Sequence, residues 1–292
     1  MRYHGNVIRP PSEASSLILQ VMYGCSHGDC AFCGSYLGKP FRVRPFVEVE
    51  QDVKQLPPAF KVQIRRVFLC DGDALAVPAN RLRAILDLLT QELPNLTRVS
   101  AYANAHSLLR LSDEDLLRIR AHGLELLYFG LESGDEHTIG RIGKGVTVRQ
   151  QIDACRKATN AGFALSVTAI LGLAGVARSL EHAQATGGAI SAIDPGYIGL
   201  LTLMVEPGTP LNEMVGRGEF VLPAPVALLR ELREMVAATN VTNAIFRSNH
   251  ASNYLPLKAT LPADKDAILR TLDGILKAPD QVRLKPESLR AL

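Results

Sequence analysis

Short apolar runs alternate with amphipathic stretches along most of the chain. The apolar runs are rich in residues that favour strands, and they predict six strands, at 17–23, 67–70, 97–102, 125–130, 165–171 and 197–203. Between them, apolar positions recur with the helical period and predict five helices, at 47–56, 79–92, 112–122, 148–161 and 177–189. After residue 204 a turn-rich loop and two further helices are predicted, at 224–239 and 263–277.

This alternation of strand and helix is typical of a parallel α/β fold. Right-handed crossovers wind six such units into a partial barrel or an open, doubly wound sheet. We predict the first, a partial (β/α)6 TIM-like barrel of parallel strands with a short C-terminal helical and loop extension. The predicted core spans residues 1–215, and residues 216–292 are predicted to cover the mouth of the barrel.

Polar or glycine-rich residues follow every predicted strand. They are the loop of residues 24–33, D71-G-D73, Asn104, G130-L-E-S-G134, G172-L-A-G175 and the E-P-G-T-P turn of residues 206–210. The carboxyl ends of parallel strands lie at one edge of a sheet, where α/β enzymes build their active sites. We therefore expect these six features to share one face.

Composition limits the possible classes of function. The 292 residues are 47% hydrophobic and 21% charged, which is sufficient for a large core, and the net charge of +3 is too small to indicate a nucleic-acid partner. The first residues lack the apolar segment of a signal peptide, and no run of about 18 apolar residues predicts a membrane span. We expect a cytoplasmic protein with no membrane partner. Thiols stay reduced in that compartment, so clustered cysteines there bind metal or do redox chemistry more often than they form disulfides.

Three of the five cysteines lie within nine residues, in the order C-x4-C-x2-C: Cys25, Cys30 and Cys33. Structural zinc needs four ligands, and neither Cys70 nor Cys155 has a ligand-like neighbour, which leaves only His27 within the loop as a fourth ligand. A four-iron cluster held by three thiolates keeps one iron open to an exchangeable ligand. We favour the cluster over zinc and over three uncommitted thiols, which would be prone to oxidation.

These motifs resemble the radical S-adenosylmethionine (SAM) superfamily over roughly residues 16–215. The aromatic residue that the family places before its last cysteine is Phe32, although this loop is one residue longer than the family's usual C-x3-C-x2-C. The G-L-E-S pattern and the turn near residue 207 are similar to the branch of the Elongator-type and oxygen-independent coproporphyrinogen oxidase enzymes. The chain is expected to be a stand-alone core of that branch, without an auxiliary cluster domain.

The resemblance implies a [4Fe–4S] cluster and SAM as cofactors. It assigns the cluster to Cys25, Cys30 and Cys33, and SAM to Phe32, Asp71, Gly72, Asp73, Asn104, Glu132, Lys144 and Gly172. It implies reductive cleavage of SAM to a 5′-deoxyadenosyl radical that abstracts hydrogen from a small-molecule or cofactor-type substrate, in an oxidoreductase or a transferase. It also implies a reductant such as flavodoxin or ferredoxin.

Structural readings of the same residues stay open. The two aspartates are also common helix caps, Gly172 can simply end a strand, and Lys144 can be solvated. The alternative functions are an iron–sulfur electron carrier or redox sensor that does not cleave SAM, and a zinc-stabilised binding module.

Substrate candidates come from the polar and aromatic stretch of residues 246–255. Its density of donors suits either a pocket lining or an ordinary surface turn. The substrate-binding candidates are Arg247, Asn249 and Asn253, and the catalytic candidates are His27, His250 and Tyr254.

Overall fold

The computed structural model describes residues 1–291. Its strands are β1 Leu17–Gln20, β2 Met22–Tyr23, β3 Arg42–Val43, β4 Arg66–Cys70, β5 Arg98–Ala103, β6 Leu124–Glu132, β7 Ala164–Leu171, β8 Tyr197–Thr202, β9 Ala244–Arg247 and β10 Lys258–Leu261. Its α-helices are α1 Phe46–Lys54, α2 Pro58–Lys61, α3 Ala79–Glu92, α4 Ala105–Arg110, α5 Asp113–Ala121, α6 Glu136–Arg141, α7 Val148–Asn160, α8 Ser179–Ile193, α9 Pro210–Gly216, α10 Pro225–Ala238 and α11 Lys265–Lys277. Short 3₁₀ turns lie at Pro11–Glu13, Ala74–Ala76, Val176–Arg178, Pro279–Gln281 and Glu287–Leu289.

The main sheet has eight strands in the order β1-β4-β5-β6-β7-β8-β9-β10, and β2 and β3 form a separate antiparallel pair. The pairs β1–β4, β4–β5, β5–β6, β7–β8 and β8–β9 are parallel, whereas β9–β10 is antiparallel. All six predicted strands and the strand–helix alternation are confirmed. The end of the first predicted strand differs, because Met22 and Tyr23 pair with Val43 and Arg42 in the small sheet.

The chain divides into two compact units. Unit 1 consists of Met1–Gly28, Ser35–Phe129 and Asp153–Leu165, and unit 2 consists of Asp29–Gly34, Gly130–Ile152 and the chain from Ser166 onward. Each unit has its own buried core.

In unit 1, the parallel strands bury apolar side chains on both faces, as sheets covered on both sides do. Phe68 and Leu69 of β4 are both fully buried. Phe68 belongs to a cluster with Tyr128, and its ring meets the Tyr102 ring edge-on at a centroid distance of 4.9 Å. Leu82, Ile85, Leu86 and Leu89 form the buried stripe of α3, at the helical spacing that predicted this element.

In unit 2, α8 packs closely against α10. A side chain at Gly187 of α8 would place its Cβ 2.6 Å from the backbone oxygen of Met235 and 2.6 Å from the Cβ of Ala238. The glycine therefore permits the close approach of the two helices. Helix α8 runs to Ile193, past the end predicted at residue 189, and its last turn buries Ile190 and Ile193.

Residues after 215 extend both layers of unit 2. Strand β9 adds to the sheet beside β8, and α10 packs between α8 and α11. Near the C-terminus, Arg290 donates hydrogen bonds to the backbone oxygen atoms of Leu203 and Ser252 at 2.8 Å and 2.6 Å. The boundary at residue 215 and the covering of a barrel mouth stay predictions.

Candidate active site

The predicted polar residues lie at the ends of the strands. Asp71 follows β4 directly and Asn104 follows β5 directly. Glu132 is the last residue of β6, and Gly172 follows the last residue of β7. Because β4 and β5 are parallel, the D71-G-D73 motif and Asn104 share one edge of the sheet in unit 1.

Asp71 holds the start of the cysteine loop. Its fully buried carboxylate accepts hydrogen bonds from the Gly24 backbone N–H at 2.9 Å and from Gln20 Nε2 at 3.0 Å, and it pairs with Lys39 Nζ at 2.6 Å. The backbone of Asp71 has a φ of 68°, a conformation that non-glycine residues rarely adopt. The carboxylate thus joins the end of β4 to the residue before Cys25.

Gly72 lies against Cys25. A Cβ at Gly72 would lie 2.6 Å from the Cβ and 2.7 Å from the Sγ of Cys25. The Gly72 backbone N–H also donates a hydrogen bond to the Gly24 oxygen at 3.0 Å. Only glycine permits this close approach between the motif and the first cysteine.

Asp73 is a fully buried acid that does not cap the turn it precedes. Its Oδ2 atom accepts hydrogen bonds from Ser26 Oγ at 2.7 Å and from Ser107 Oγ at 2.5 Å. Its Oδ1 atom is buried and accepts no hydrogen bond within residues 1–291. Burial raises the pKa of this carboxyl to about 6, against the hydrogen bonds from Ser107 and Ser26, which lower it.

Asn104 is the N-cap of α4. Its side-chain oxygen accepts a hydrogen bond from the Ser107 backbone N–H at 3.0 Å, and its Nδ2 donates to Ser26 Oγ at 3.1 Å. On the same short helix, the ring of His106 stacks on the ring of His27 with centroids 4.6 Å apart.

Three residues in this cluster are absent from the sequence-based candidates: Ser26, His106 and Ser107. Ser107 follows Asn104 by three residues, which is the spacing of a helix cap and was the available signal. The contacts of Ser26 and His106 join distant parts of the chain, so no local pattern indicates them.

The second half of the cysteine loop, Asp29–Gly34, belongs to unit 2. The Ala31 backbone N–H donates to the Ile142 oxygen at 2.8 Å, and the Ala31 oxygen accepts from the Leu211 N–H at 2.9 Å. Just after Cys33, the Gly34 N–H donates to Glu206 Oε1 at 3.0 Å. These bonds fix the backbone directly after Cys30 and directly after Cys33.

Two side chains in this half of the loop have distinct surroundings. Phe32 packs against a hydrophobic cluster that includes Ile170 and Phe220. Burial raises the pKa of the Cys30 thiol to about 11, although Lys144 nearby lowers it.

Glu132 and Lys144 form an ion pair, with Oε1 and Nζ 3.2 Å apart. Glu132 has a φ of 64°, and a Cβ at Gly130 would lie 2.1 Å from its Oε1 atom. The Lys144 side chain is nearly buried, so the structure does not support the reading in which it is simply solvated.

Gly172 is backed by a buried carboxylate. Its N–H donates to Glu231 Oε1 at 2.6 Å, while Glu231 Oε2 accepts from the Ser179 hydroxyl. His182 Nε2 lies 3.5 Å from the same Oε1 atom and 3.1 Å from the Ile170 oxygen. Burial raises the pKa of Glu231 to about 7, and burial lowers the pKa of His182 to about 4.

The candidates from residues 246–255 have different settings. Arg247 and Asn249 are exposed, and Arg247 ends strand β9. Asn253 is buried and bonds to β8, through Thr202 Oγ1 at 2.7 Å and the Leu200 oxygen at 2.8 Å.

The two catalytic candidates of this stretch also have partners. His250 Nδ1 lies 2.9 Å from Ser252 Oγ. Tyr254 is largely buried, with the Arg290 guanidinium over its ring at 4.3 Å.

The donor set suits a cluster better than a single ion. Cys25, Cys30 and Cys33 are each partly exposed, whereas Cys70 and Cys155 are fully buried. Within residues 1–291, no three His, Cys, Asp or Glu side chains form a group that could hold one metal ion. A four-iron cluster differs because each thiolate binds its own iron. The glycine at position 72 and the unpartnered Asp73 Oδ1 atom fit a bound group near Cys25.

None of the helices in residues 1–291 has the length and the apolar character that crossing a membrane requires.

Comparison with known proteins defines the class. The model of the radical SAM superfamily matches residues 19–183. The heme chaperone HemW of Bacillus subtilis is 22% identical over 59% of this chain and 45% of its own length. An uncharacterized methyltransferase of Pyrococcus horikoshii is 27% identical over 67% of this chain and 41% of its own length. The chain thus spans less than half the length of these two relatives.

Solved structures show the same fold. Methylornithine synthase (PylB) matches with a TM-score of 0.55 and 17% identity over 93% of this chain and 74% of its own. Coproporphyrinogen III oxidase (HemN) from Escherichia coli matches with a TM-score of 0.58 and 16% identity over 76% of this chain and 51% of its own. These likenesses confirm the predicted α/β fold class of the partial TIM-like barrel type.

The chain therefore belongs to the radical SAM superfamily. The similarity to the heme chaperone HemW agrees with the branch that the sequence motifs resemble, that of the Elongator-type and oxygen-independent coproporphyrinogen oxidase enzymes. The cofactors of the superfamily, a [4Fe–4S] cluster and SAM, are accordingly those of this chain.

Proposed function

We propose that the chain is a radical SAM enzyme in which Cys25, Cys30 and Cys33 hold three irons of the cluster. The cluster, when bound and reduced by a donor such as flavodoxin or ferredoxin, supplies the electron that cleaves SAM into methionine and a 5′-deoxyadenosyl radical, which takes a hydrogen atom from a small-molecule or cofactor-type substrate. The observation that carries the proposal is the contact of Gly72 with Cys25, because it puts the D71-G-D73 motif directly beside a cluster cysteine.

The residues around the cysteines have separate roles in this proposal. Asp73 offers its unpartnered Oδ1 atom as an acceptor for the SAM amino group, next to the Ser26 and Asn104 side chains. Lys144, held by Glu132, offers a cation for the SAM carboxylate. Phe32 and the Gly172 turn are proposed contacts of SAM. His27, His250 and Tyr254 stay catalytic candidates, and Asn249 and Asn253 stay substrate candidates.

Asp71 has a supporting role in the proposal. Its Oδ2 atom bonds to Gln20, Gly24 and Lys39 and so positions the cysteine loop, while its buried Oδ1 atom, like that of Asp73, has no hydrogen-bond partner within residues 1–291. We also propose the division into a core of residues 1–215 and an extension of residues 216–292. A reducing compartment, the cytoplasm, suits three closely spaced and partly exposed thiols.

The decisive experiment is anaerobic reconstitution with iron and sulfide, followed by incubation with SAM and dithionite. We expect about four irons per chain and release of 5′-deoxyadenosine that depends on dithionite. Cys30→Ala should abolish both, whereas Cys155→Ala, a buried cysteine on α7, should abolish neither.

The same measurements separate the alternatives. A protein that holds four irons but never cleaves SAM would be an electron carrier or a redox sensor, and the proposal would be wrong. A colourless protein with one zinc per chain would be the zinc-stabilised module.

A further inference from the structure

Four strands of unit 2 align four residues in one row. Thr168 of β7 is paired with Gly199 of β8, and Gly199 is paired with Arg247 of β9. Arg247 is paired in turn with Lys258 of β10. Residues directly opposite each other on neighbouring strands point to the same face of a sheet. The row Thr168–Gly199–Arg247–Lys258 therefore lies on a single face.

That face is open at the row, while the opposite face is packed. Ile198 and Leu200, which flank Gly199 along β8, are each 2% exposed, and Phe246 is 1% exposed. Leu171, which points to their face, lines a small cavity together with Leu228 and Leu232 of α10. In the row itself, Arg247 and Lys258 are exposed, and Thr168 and Gly199 are partly exposed.

Gly199 leaves space in the middle of the row. A Cβ there would meet only Thr168 Oγ1 within 4 Å, at 3.7 Å, which is an ordinary contact. Gly199 is also not among the residues with a positive φ, so the backbone does not require glycine. What glycine provides here is an unfilled gap between Thr168 and Arg247.

The two cations of the row face each other without a counterion. Like charges directly opposite each other on paired strands are destabilising, and neither Arg247 nor Lys258 forms an ion pair with any carboxylate in residues 1–291. Arg247 Nη1 donates to the Phe246 oxygen at 2.8 Å and to the Ala259 oxygen at 3.4 Å. These bonds orient the guanidinium and leave its Nε and Nη2 groups available. An anion above Gly199 would accept from them and remove the repulsion.

The row lies close to the part of the cysteine loop that belongs to the same unit. Ile170 is two residues beyond Thr168 on the same face of β7, which is about 7 Å along the strand. Phe32, the residue before Cys33, packs against the hydrophobic cluster that contains Ile170.

We propose that this row is an anion subsite that binds a carboxylate or a phosphate group of the substrate. The assignment to a substrate rests on the proposed radical SAM function, and it narrows the substrate class to anionic small molecules. Arg247 donates hydrogen bonds to the anion, Lys258 adds a second positive charge, Thr168 offers a hydroxyl, and Gly199 provides the space.

The test measures anion binding directly on the cluster-loaded full chain, with saturating SAM present. Thermal unfolding is followed at constant ionic strength while inorganic phosphate, and separately acetate, replaces chloride. The rise in Tm with concentration gives the dissociation constant of each anion. Arg247→Gln removes the main donor, and Gly199→Val fills the gap while both charges remain. Arg270→Gln, an exposed site on α11, is the control with the same change of charge.

We expect Arg247→Gln and Gly199→Val each to weaken binding of the preferred anion about tenfold or more, because hydrogen bonds to charged groups are strong. Arg270→Gln should leave the dissociation constant within about twofold, because this exposed charge is not part of the row and exposed charges are screened by salt. Preference for phosphate or for acetate identifies which anionic group the site takes. The proposal is overturned if wild type cleaves SAM but binds neither anion, or if both row variants bind as wild type does. Anion binding that both variants lose, in a protein that never cleaves SAM, would support the subsite and refute the proposed function instead.

Discussion

A side chain at Gly72 should disrupt the cysteine loop. In Gly72→Ala the new Cβ would lie 2.6 Å from the Cβ of Cys25 and 3.0 Å from its Cα. Carbon atoms prefer separations of about 3.5–4.0 Å, so Cys25 and the substituted residue must move apart by about 1 Å. Rotation of the Cys25 side chain cannot relieve the overlap, because its own backbone atom is among the close contacts.

The neighbouring hydrogen bonds oppose that movement. Gly24 accepts from the residue 72 N–H at 3.0 Å and donates to the Asp71 carboxylate at 2.9 Å, so the two segments are tied together beside the overlap. Overpacking of this kind costs about 1–3 kcal/mol of folding stability. A misplacement of about 1 Å at a reacting centre lowers a rate by about 100-fold.

The assay compares Gly72→Ala with Gly28→Ala. Gly28 lies in the same loop, but a Cβ there would meet nothing within 4 Å. We expect Gly72→Ala to retain less iron after anaerobic reconstitution and to release 5′-deoxyadenosine about 100-fold more slowly, while Gly28→Ala behaves as wild type. Equal iron content and equal rates in the two variants would show that the contact between Gly72 and Cys25 does not position the cluster.

Three further predictions concern side chains that support the site. The pKa of Glu231 is raised to about 7, so its contribution to stability is present at low pH and is lost as pH rises from 4.5 to about 7. In urea unfolding, the free energy of unfolding of Glu231→Gln should therefore rise relative to wild type across that range, by at most about 1.4 kcal/mol per pH unit. A difference that stays constant with pH would contradict the assignment. Asn104→Ala should lower the free energy of unfolding by about 1 kcal/mol through loss of the cap of α4, and it should lower iron retention as well. Ser112→Ala, which removes the equivalent cap of α5, should lower stability by a similar amount without affecting iron. Glu206→Ala should destabilise the chain by about 1–2 kcal/mol, because the Gly34 N–H loses a charged acceptor, and the same substitution at exposed Glu213 should change stability by less than about 0.5 kcal/mol.

The strands of the core were predictable because their signal is local. Six apolar runs of four to seven residues with turn residues at their ends correspond to six strands of the main sheet. Ser112 marked the start of α5, and its side chain accepts from the Asp115 N–H as a cap does. Strands β9 and β10 were not predicted, because β9 is held by pairing with β8, more than 40 residues earlier in the chain, and β10 by pairing with β9.

In the candidate site, too, local patterns were predictable and long-range contacts were not. The cysteines were predicted from their spacing, and the D71-G-D73 motif and Asn104 from their places after predicted strands and from the family resemblance. The different roles of the two aspartates could not be predicted, because they depend on contacts between residues 47 positions apart in the chain, from Asp71 to Gly24 and from Asp73 to Ser26. The row that includes Gly199 and Lys258 could not be predicted either, since only strand register brings those residues together.

Strand β10 has a consequence for how the protein behaves at high concentration. It stands last in the order of the main sheet and pairs only with β9 among the described strands. On its outer edge the Thr260 N–H and oxygen bond to Asp264 at 2.7 Å and 2.8 Å, so the part of the edge that stays open to other chains is at Lys258. Exposed edges of this kind promote aggregation, and natural proteins protect them with short length, lysine and proline. Here the strand has four residues, begins with Lys258 and is followed by Pro262. Replacing Lys258 would therefore weaken protection against self-association along with anion binding, and such a variant should be assayed at low protein concentration.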